Sequence, residues 1–151
     1  MENDDVIGTL NDLIETCKDG EYGYRASAEH LRNAQTRTRF VQAAEQCGVA
    51  ASRLAAEVVK LGGKAEDGGS MAGAMHRGWV SVRSTLSTQT DLAILEEAER
   101  GENKALESYR DALEEALPEP VRSIVQTQYE DAKRNHGEVR RLRDEARAVS
   151  A

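Results

Sequence analysis

Residues that interrupt helices are scarce in this sequence. It has two prolines in 151 residues, and aromatic residues make up 4% of it. No apolar run reaches the roughly 18 residues that a membrane span needs. Ala, Glu and Arg are abundant instead, a composition typical of an all-helical protein. The sequence therefore predicts an all-α chain without a transmembrane helix.

Positive charge is also in short supply. The 20 Lys and Arg residues are outnumbered by 27 Asp and Glu residues, which gives a net charge of −7. Nucleic acids and anionic membranes attract basic surfaces, so we expect neither as a partner. The first residues, MENDDV, are acidic, whereas a secretory signal begins with basic residues. We therefore expect a cytoplasmic protein.

Cysteine occurs only at Cys17 and Cys47, and there is no Cys-x-x-Cys motif. Two widely spaced cysteines in a cytoplasmic protein are usually reduced thiols. A disulfide between them is the alternative, because the two helices that carry them are expected to pair.

Four long segments repeat apolar residues at steps of three and four, the spacing that places side chains on one face of a helix. A chain of this length suits a single domain, residues 1–151. Asn3, Asp4 or Asp5 is expected to cap the first helix, and Asp91 the third. The stripe positions are Val6, Leu10, Leu13, Cys17, Tyr24 and Leu31, then Phe40, Ala44, Cys47, Ala51, Leu54, Val58 and Leu61, then Leu95, Leu106, Tyr109 and Leu113, and finally Val125, Tyr129, Ala132, His136 and Val139.

The connections between these segments determine the predicted topology. The turn near 33–36 and the proline-containing break at 117–120 are short, so each joins antiparallel helices. Gly62-Gly63 ends the second helix and starts a connection over 64–90 that is long enough to return along the bundle. This predicts a four-helix bundle that runs up, down, down, up.

The long connection has an amphipathic helical stripe of its own. We interpret it as a lid packed over the bundle, with a surface for a partner as the alternative. Its members are Met71, Met75, Trp79, Val82 and Leu86.

The third helix, Leu92 to Leu117, has two carboxylates on its inward stripe, Glu99 and Glu102. Gly101 lies between them and weakens the helix by about 1 kcal/mol relative to Ala. A buried carboxylate has to be paired, protonated or bound to a metal. Any functional interpretation has to account for these two groups.

In the predicted topology, Glu21, Cys47 and His136 fall at the level of these carboxylates. In one interpretation this level is a hydrogen-bonded layer that fixes the register, with Glu102 and His136 as the best-placed pair. In the other it binds iron or manganese, as in bundles that take ligands from facing helices. The sequence lacks the Glu-x-x-His motif of such sites. The predicted metal ligands are Glu21, Glu99, Glu102 and His136.

Five short segments resemble one family when taken together. They are LNDLIETCKDGEYGY, LGG, AGAMHRGW, ERGENKALESYRDAL and QYEDAKRNH. The resemblance is to an uncharacterised bacterial family of the ferritin-like superfamily. It implies a crossover bundle and homo-oligomers, in particular dimers that pair through helices one and two. In the register of ferritins proper, the ligands of the second helix would fall on Cys47 and Ala50, which departs from the ferritin pattern.

Three functions are compatible with these patterns, and no catalytic residue is assigned in any of them. The first is a non-catalytic structural, stress-associated or partner-binding module. The second is an iron- or manganese-dependent oxidoreductase or metal-handling protein. The third is a small-molecule pocket under the Trp79 helix, floored by the glycines at 20, 23, 48, 101 and 137. We interpret Arg140, Arg141, Arg143 and Arg147 as favourable charge at a helix end.

Overall fold

Four long helices account for most of the described chain. The computed structural model describes residues 1–66 and 90–150, and no strand occurs in these ranges. None of the helices combines the length and the hydropathy that crossing a membrane requires. The predicted helix over Met71–Leu86, with Trp79, lies outside the described residues. The helices are α1 (Asn3–Ala28), α2 (Ala34–Lys60), α3 (Asp91–Glu114) and α4 (Val121–Ser150).

The contacts between helices give their directions. Tyr24 of α1 contacts Glu102, and Cys17, two turns earlier, contacts Tyr109, so α1 and α3 are antiparallel. α2 packs antiparallel on α1, because its first turns share a core with the end of α1 and its last turns with the beginning. α3 and α4 form a second antiparallel pair. The topology is up-down-down-up, as the sequence predicts.

The apolar core is divided into two clusters along the bundle axis. Both clusters contain large side chains that are almost fully buried, with Phe40 in one cluster and Leu10 and Leu54 in the other. Polar side chains occupy the level between the clusters. The upper cluster is Tyr24, Ala28, Leu31, Phe40, Ala43, Ala44, Ile94, Leu95, Ala98, Val139 and Leu142. The lower cluster includes Val6, Leu10, Leu13, Ile14, Cys17, Ala51, Leu54, Val58, Tyr109, Ala112, Leu117, Val121 and Val125.

The ends of α2 follow the sequence signals. Asn33 caps its beginning, since its side chain accepts a hydrogen bond from the Thr36 backbone N–H at 3.0 Å. Gly62, just past its end, has a φ of +84°, a conformation that glycine adopts without the penalty of a Cβ. α2 therefore ends where the sequence predicts.

The predicted caps of α1 and α3 are wrong. α1 begins at Asn3 without a side-chain cap. α3 is capped by Thr90, whose side chain accepts from the Ala93 N–H at 3.2 Å. The Asp91 carboxylate instead accepts from the backbone N–H groups of Arg32 and Asn33, each at 2.9 Å. It therefore ties the start of α3 to the turn between α1 and α2, a contact that local sequence cannot reveal.

Candidate functional site

Glu102 is the centre of the polar level. Its side chain is 6% exposed, and its Oε2 accepts hydrogen bonds from the Tyr24 hydroxyl and from Asn135 Nδ2, the latter at 2.7 Å. Asn135 also donates to the Tyr24 oxygen at 2.7 Å. Three helices, α1, α3 and α4, are joined by these bonds.

The buried position of Glu102 favours the protonated form of its carboxyl group. Burial raises its pKa to about 8, and the nearby Glu99 carboxylate adds to the rise, while the bond from Tyr24 opposes it. Oε2 accepts from two donors, whereas Oε1 is buried and has no hydrogen-bond partner among the described residues. The network therefore contains one buried oxygen that no described residue satisfies.

A second chain of hydrogen bonds runs across the bundle at the same level. Gln128 donates from Nε2 to the Ala50 carbonyl at 3.2 Å, so its Oε1 accepts from the Tyr109 hydroxyl at 2.9 Å. With the Tyr109 proton used in this way, the Cys17 thiol is the donor across the 3.2 Å contact to the Tyr109 oxygen. We use the name buried polar network for Cys17, Tyr24, Cys47, Glu102, Tyr109, Gln128 and Asn135.

Both cysteines are free thiols in a protonated state. Burial raises the pKa of Cys17 to about 11, and it raises that of Cys47 further, with added repulsion from Cys17, Glu102 and Glu21. Cys47 packs on Gly20, where a Cβ would lie 3.0 Å from the sulfur. A protonated thiol is a poor nucleophile and a poor metal ligand, so neither cysteine is prepared for such chemistry.

The structure distributes the four predicted metal ligands among different partners. Glu21 is half-buried and pairs with Arg25 at 3.5 Å, and Glu99 pairs with Arg143 across the α3–α4 interface. His136 is partly buried, its Nε2 has no hydrogen-bond partner among the described residues, and burial lowers its pKa.

The prediction of a Glu102–His136 hydrogen bond is wrong. The partner of Glu102 is Asn135, one residue earlier on α4. One residue rotates a side chain by about 100° around a helix, which carries His136 away from Glu102. Sequence spacing gave the correct level but not the correct residue.

The four predicted metal ligands do not fit a resident iron or manganese centre. Glu21 and Glu99 are paired with guanidinium groups, and burial raises the pKa of Glu102, which favours its neutral form. Within residues 1–66 and 90–150, no three His, Cys, Asp or Glu side chains come together in a way that could hold a metal ion. The assignment of these residues as metal ligands therefore stays a prediction, and this geometry does not support it.

A groove of about 1150 Å³ opens between α2 and α4 and reaches the buried polar network. Small residues leave this space open, because Ala43, Ala50 and Ala132 line it where larger side chains would fill the bundle. Of the glycines predicted to floor a pocket, Gly20 and Gly101 line the groove. A Cβ at Gly48 would instead meet Glu21, and one at Gly137 would meet open space.

Five residues of the network were missed as site residues by the sequence reasoning. Cys17, Tyr24 and Tyr109 were placed on the apolar stripes of their helices, and Gln128 and Asn135 were not singled out. The available signal was the polar tip of Tyr24, since a buried tyrosine hydroxyl usually finds a partner. Nothing in the local pattern of α4 distinguishes Asn135 from its neighbours.

Comparison with solved structures places the bundle among ferritin-like proteins. The chain superposes on a Dps1 mutant from Mycobacterium smegmatis with a TM-score of 0.76 and 17% identity, over 93% of this chain and 96% of that one. A DPS protein from Vibrio cholerae O1, described as a member of a broad superfamily of ferritin-like diiron-carboxylate proteins, gives 0.76 and 12%, over 93% and 89%. A bacterioferritin-related dodecameric thioferritin from Bacteroides fragilis gives 0.72 and 16%, over 99% and 91%.

At sequence identities this low, the structural similarity establishes the fold and nothing beyond it. No curated protein matches the sequence significantly. The sequence pattern of one family, a domain of unknown function (DUF2383), matches residues 5–115, which include all of α2 and α3 and all but the first two residues of α1. The chain therefore belongs to the DUF2383 family, and its fold is the ferritin-like four-helix bundle.

Proposed function

We propose that this chain is a non-catalytic ferritin-like module in which the buried polar network fixes the packing of the helices. The observation that carries the proposal is the setting of Glu102, which is buried and accepts hydrogen bonds from Tyr24 and Asn135 on two other helices, with its pKa raised to about 8. A neutral, hydrogen-bonded carboxyl group stabilises one register between two apolar clusters. It does not supply the negative charge with which a carboxylate binds iron or manganese.

Metal titration tests this proposal. We expect purified protein to contain no stoichiometric iron or manganese, and we expect added ferrous or manganous ion to leave its melting temperature unchanged. Aerobic oxidation of ferrous ion should be no faster with the protein than in buffer. A metal that binds the folded state would raise the melting temperature by mass action.

The same titration tests the predicted metal ligands. If wild type gains melting temperature with ferrous ion and Glu102→Gln loses that gain, then Glu21, Glu99, Glu102 and His136 bind metal and the structural proposal fails. Glu107→Gln, an exposed carboxylate on the same helix, is the matched control. It should respond to metal as wild type does.

The proposal includes assembly into homo-oligomers. The neighbour from Bacteroides fragilis is described as dodecameric, which supports assembly of a chain with this fold. On this chain, α2 presents three exposed valines. Two of them, Val41 and Val59, are about five helical turns apart and therefore on one face. Ser52, which is exposed, lies between them on that face, and a small residue allows a second helix to approach closely. The free thiols support a reducing, cytoplasmic location.

A further inference from the structure

The groove between α2 and α4 marks the most loosely packed seam of the bundle. The pairs α1–α2, α3–α4 and α1–α3 all have more extensive contacts than the pair α2–α4. In the middle of the α2–α4 seam, Ala43, Ala50 and Ala132 line a space of about 1150 Å³ that larger side chains would fill. Low packing density of this kind lowers the free energy of a local opening.

The polar links that the structure describes across this seam are weak. Gln128 Nε2 donates to the Ala50 carbonyl at 3.2 Å, in the middle of the groove. Arg39 pairs with Glu138 at 3.4 Å, but their side chains are 49% and 24% exposed, and ion pairs in contact with water contribute little. The opposite seam, between α1 and α3, is joined inside the core by the buried polar network.

α4 has a glycine beside the groove that packing does not require. The residues of α4 that line the groove end at Asn135, and its part of the upper cluster begins at Val139. Gly137 lies between them in a helix of 30 residues, and a Cβ there would meet nothing within 4 Å. Because glycine weakens the interior of a helix relative to alanine, α4 bends most easily at this point.

We propose that α4 bends at Gly137 and that this bend opens the α2–α4 seam as a gate to the buried polar network. The opening is small, because Val121 and Val125 anchor the other end of α4 in the lower cluster. The hydrogen bond from Gln128 to α2 breaks, and small solutes reach Cys17 through the groove. The inference goes beyond the proposed function, since it holds for either protonation state of the network.

Thiol labelling measures the opening, because Cys17 is 5% exposed and reacts only when solvent reaches it. Methyl methanethiosulfonate is added to the full native chain, and peptide mapping at low extents of reaction follows Cys17 separately from Cys47. We expect the rate at Cys17 to be nearly independent of urea well below the unfolding transition, as for a local opening. A rate that rises from zero urea with the full slope of global unfolding would overturn the proposal.

Two glycine variants separate the bend from global stability. Gly137→Ala and Gly8→Ala each replace an exposed glycine whose Cβ would meet nothing within 4 Å, so both raise global stability alike. We expect Gly137→Ala to slow the labelling of Cys17 by up to about fivefold, the factor that corresponds to the difference in helix propensity. Gly8→Ala should leave the rate unchanged. Equal slowing by both variants would assign the labelling to global unfolding, and no slowing by either would remove the bend at Gly137, so either result refutes the gate.

The size of the reagent measures the width of the opening in wild type itself. Rates are divided by those of the same reagents with the urea-unfolded chain. Fluorescein-5-maleimide should then label Cys17 severalfold more slowly than methyl methanethiosulfonate, because a bent helix leaves a narrow gap. Equal protection of Cys17 against the two reagents would show that the whole bundle has to open, which contradicts a gate in one seam.

Discussion

At the scale of single residues, Glu102 shows how burial converts an acidic side chain into a neutral one. The same carboxyl group on the helix surface would be ionised at pH 7. Between two apolar clusters its charged form is desolvated, and its pKa rises from 4.5 to about 8. This shift makes the stability of the fold depend on pH.

The direction of that dependence follows from proton binding. Between pH 4.5 and about 8 the folded chain keeps a proton on Glu102 that the unfolded chain has released. The free energy of unfolding should therefore fall as pH rises through this window, by up to about 1.4 kcal/mol per pH unit from this group. Above the folded pKa the contribution levels off.

Glu102→Gln should remove this slope, because an amide mimics the protonated carboxyl and does not titrate. We expect the variant to gain stability relative to wild type as pH rises from about 5 to about 8, measured by urea denaturation. Glu107→Gln serves as the exposed control and should follow the wild-type profile. Parallel profiles for wild type and Glu102→Gln would show that Glu102 is ionised in the folded state.

At the scale of helices, two of the three glycines of α1 lie in very different surroundings. Gly8 is exposed, and a Cβ there would meet nothing within 4 Å. Gly20 faces α2, and a Cβ there would lie 3.0 Å from the sulfur of Cys47. Both glycines weaken an isolated helix equally. A difference between the effects of replacing each with alanine therefore reports on packing between α1 and α2.

Gly8→Ala should raise the free energy of unfolding by up to about 1 kcal/mol, the difference in helix propensity. Gly20→Ala should gain less than Gly8→Ala, or lose stability, because the new methyl group displaces the Cys47 sulfur. In the Cys47→Ala background the Gly20→Ala gain should return towards that of Gly8→Ala, and a double-mutant cycle by urea denaturation measures the coupling. Equal effects of Gly8→Ala and Gly20→Ala in wild type would contradict the close contact.

At the scale of the whole molecule, the other described helices leave the outer face of α2 uncovered. Val41 is 38% exposed and Val59 is 64% exposed on this face. A second copy of the chain that packed on this face would bury both valines and gain apolar contact.

Sedimentation tests assembly directly. We expect wild type to sediment as a species larger than the 16.6 kDa chain. The double variant Val41→Lys, Val59→Lys should shift to the monomer, since two buried lysines at an interface would lack partners. Val149→Lys at the end of α4, where the valine is 87% exposed, is the matched control and should sediment as wild type. A wild type that remains monomeric at high concentration would refute self-association.

The sequence by itself determined the helices and their topology. Apolar spacing defined the faces of all four, the turn near 33–36 and Gly62-Gly63 marked the ends of α2, and the connection over 64–90 was long enough for α2 and α3 to run in the same direction. These features depend on short-range periodicity and chain length, which are properties of the sequence alone. The same reasoning placed Glu102 inside the bundle.

Only the tertiary structure decided what Glu102 contacts and whether it is charged. Tyr24 and Asn135 reach it from two other helices, and His136 does not, although both α4 residues lie at the right height. Helical spacing gives the height of a residue and its approximate face, whereas a hydrogen bond requires positions accurate to a few tenths of an ångström. The charge of a buried carboxyl depends on the solvent and donors around it in three dimensions, and those come from segments far apart in the chain.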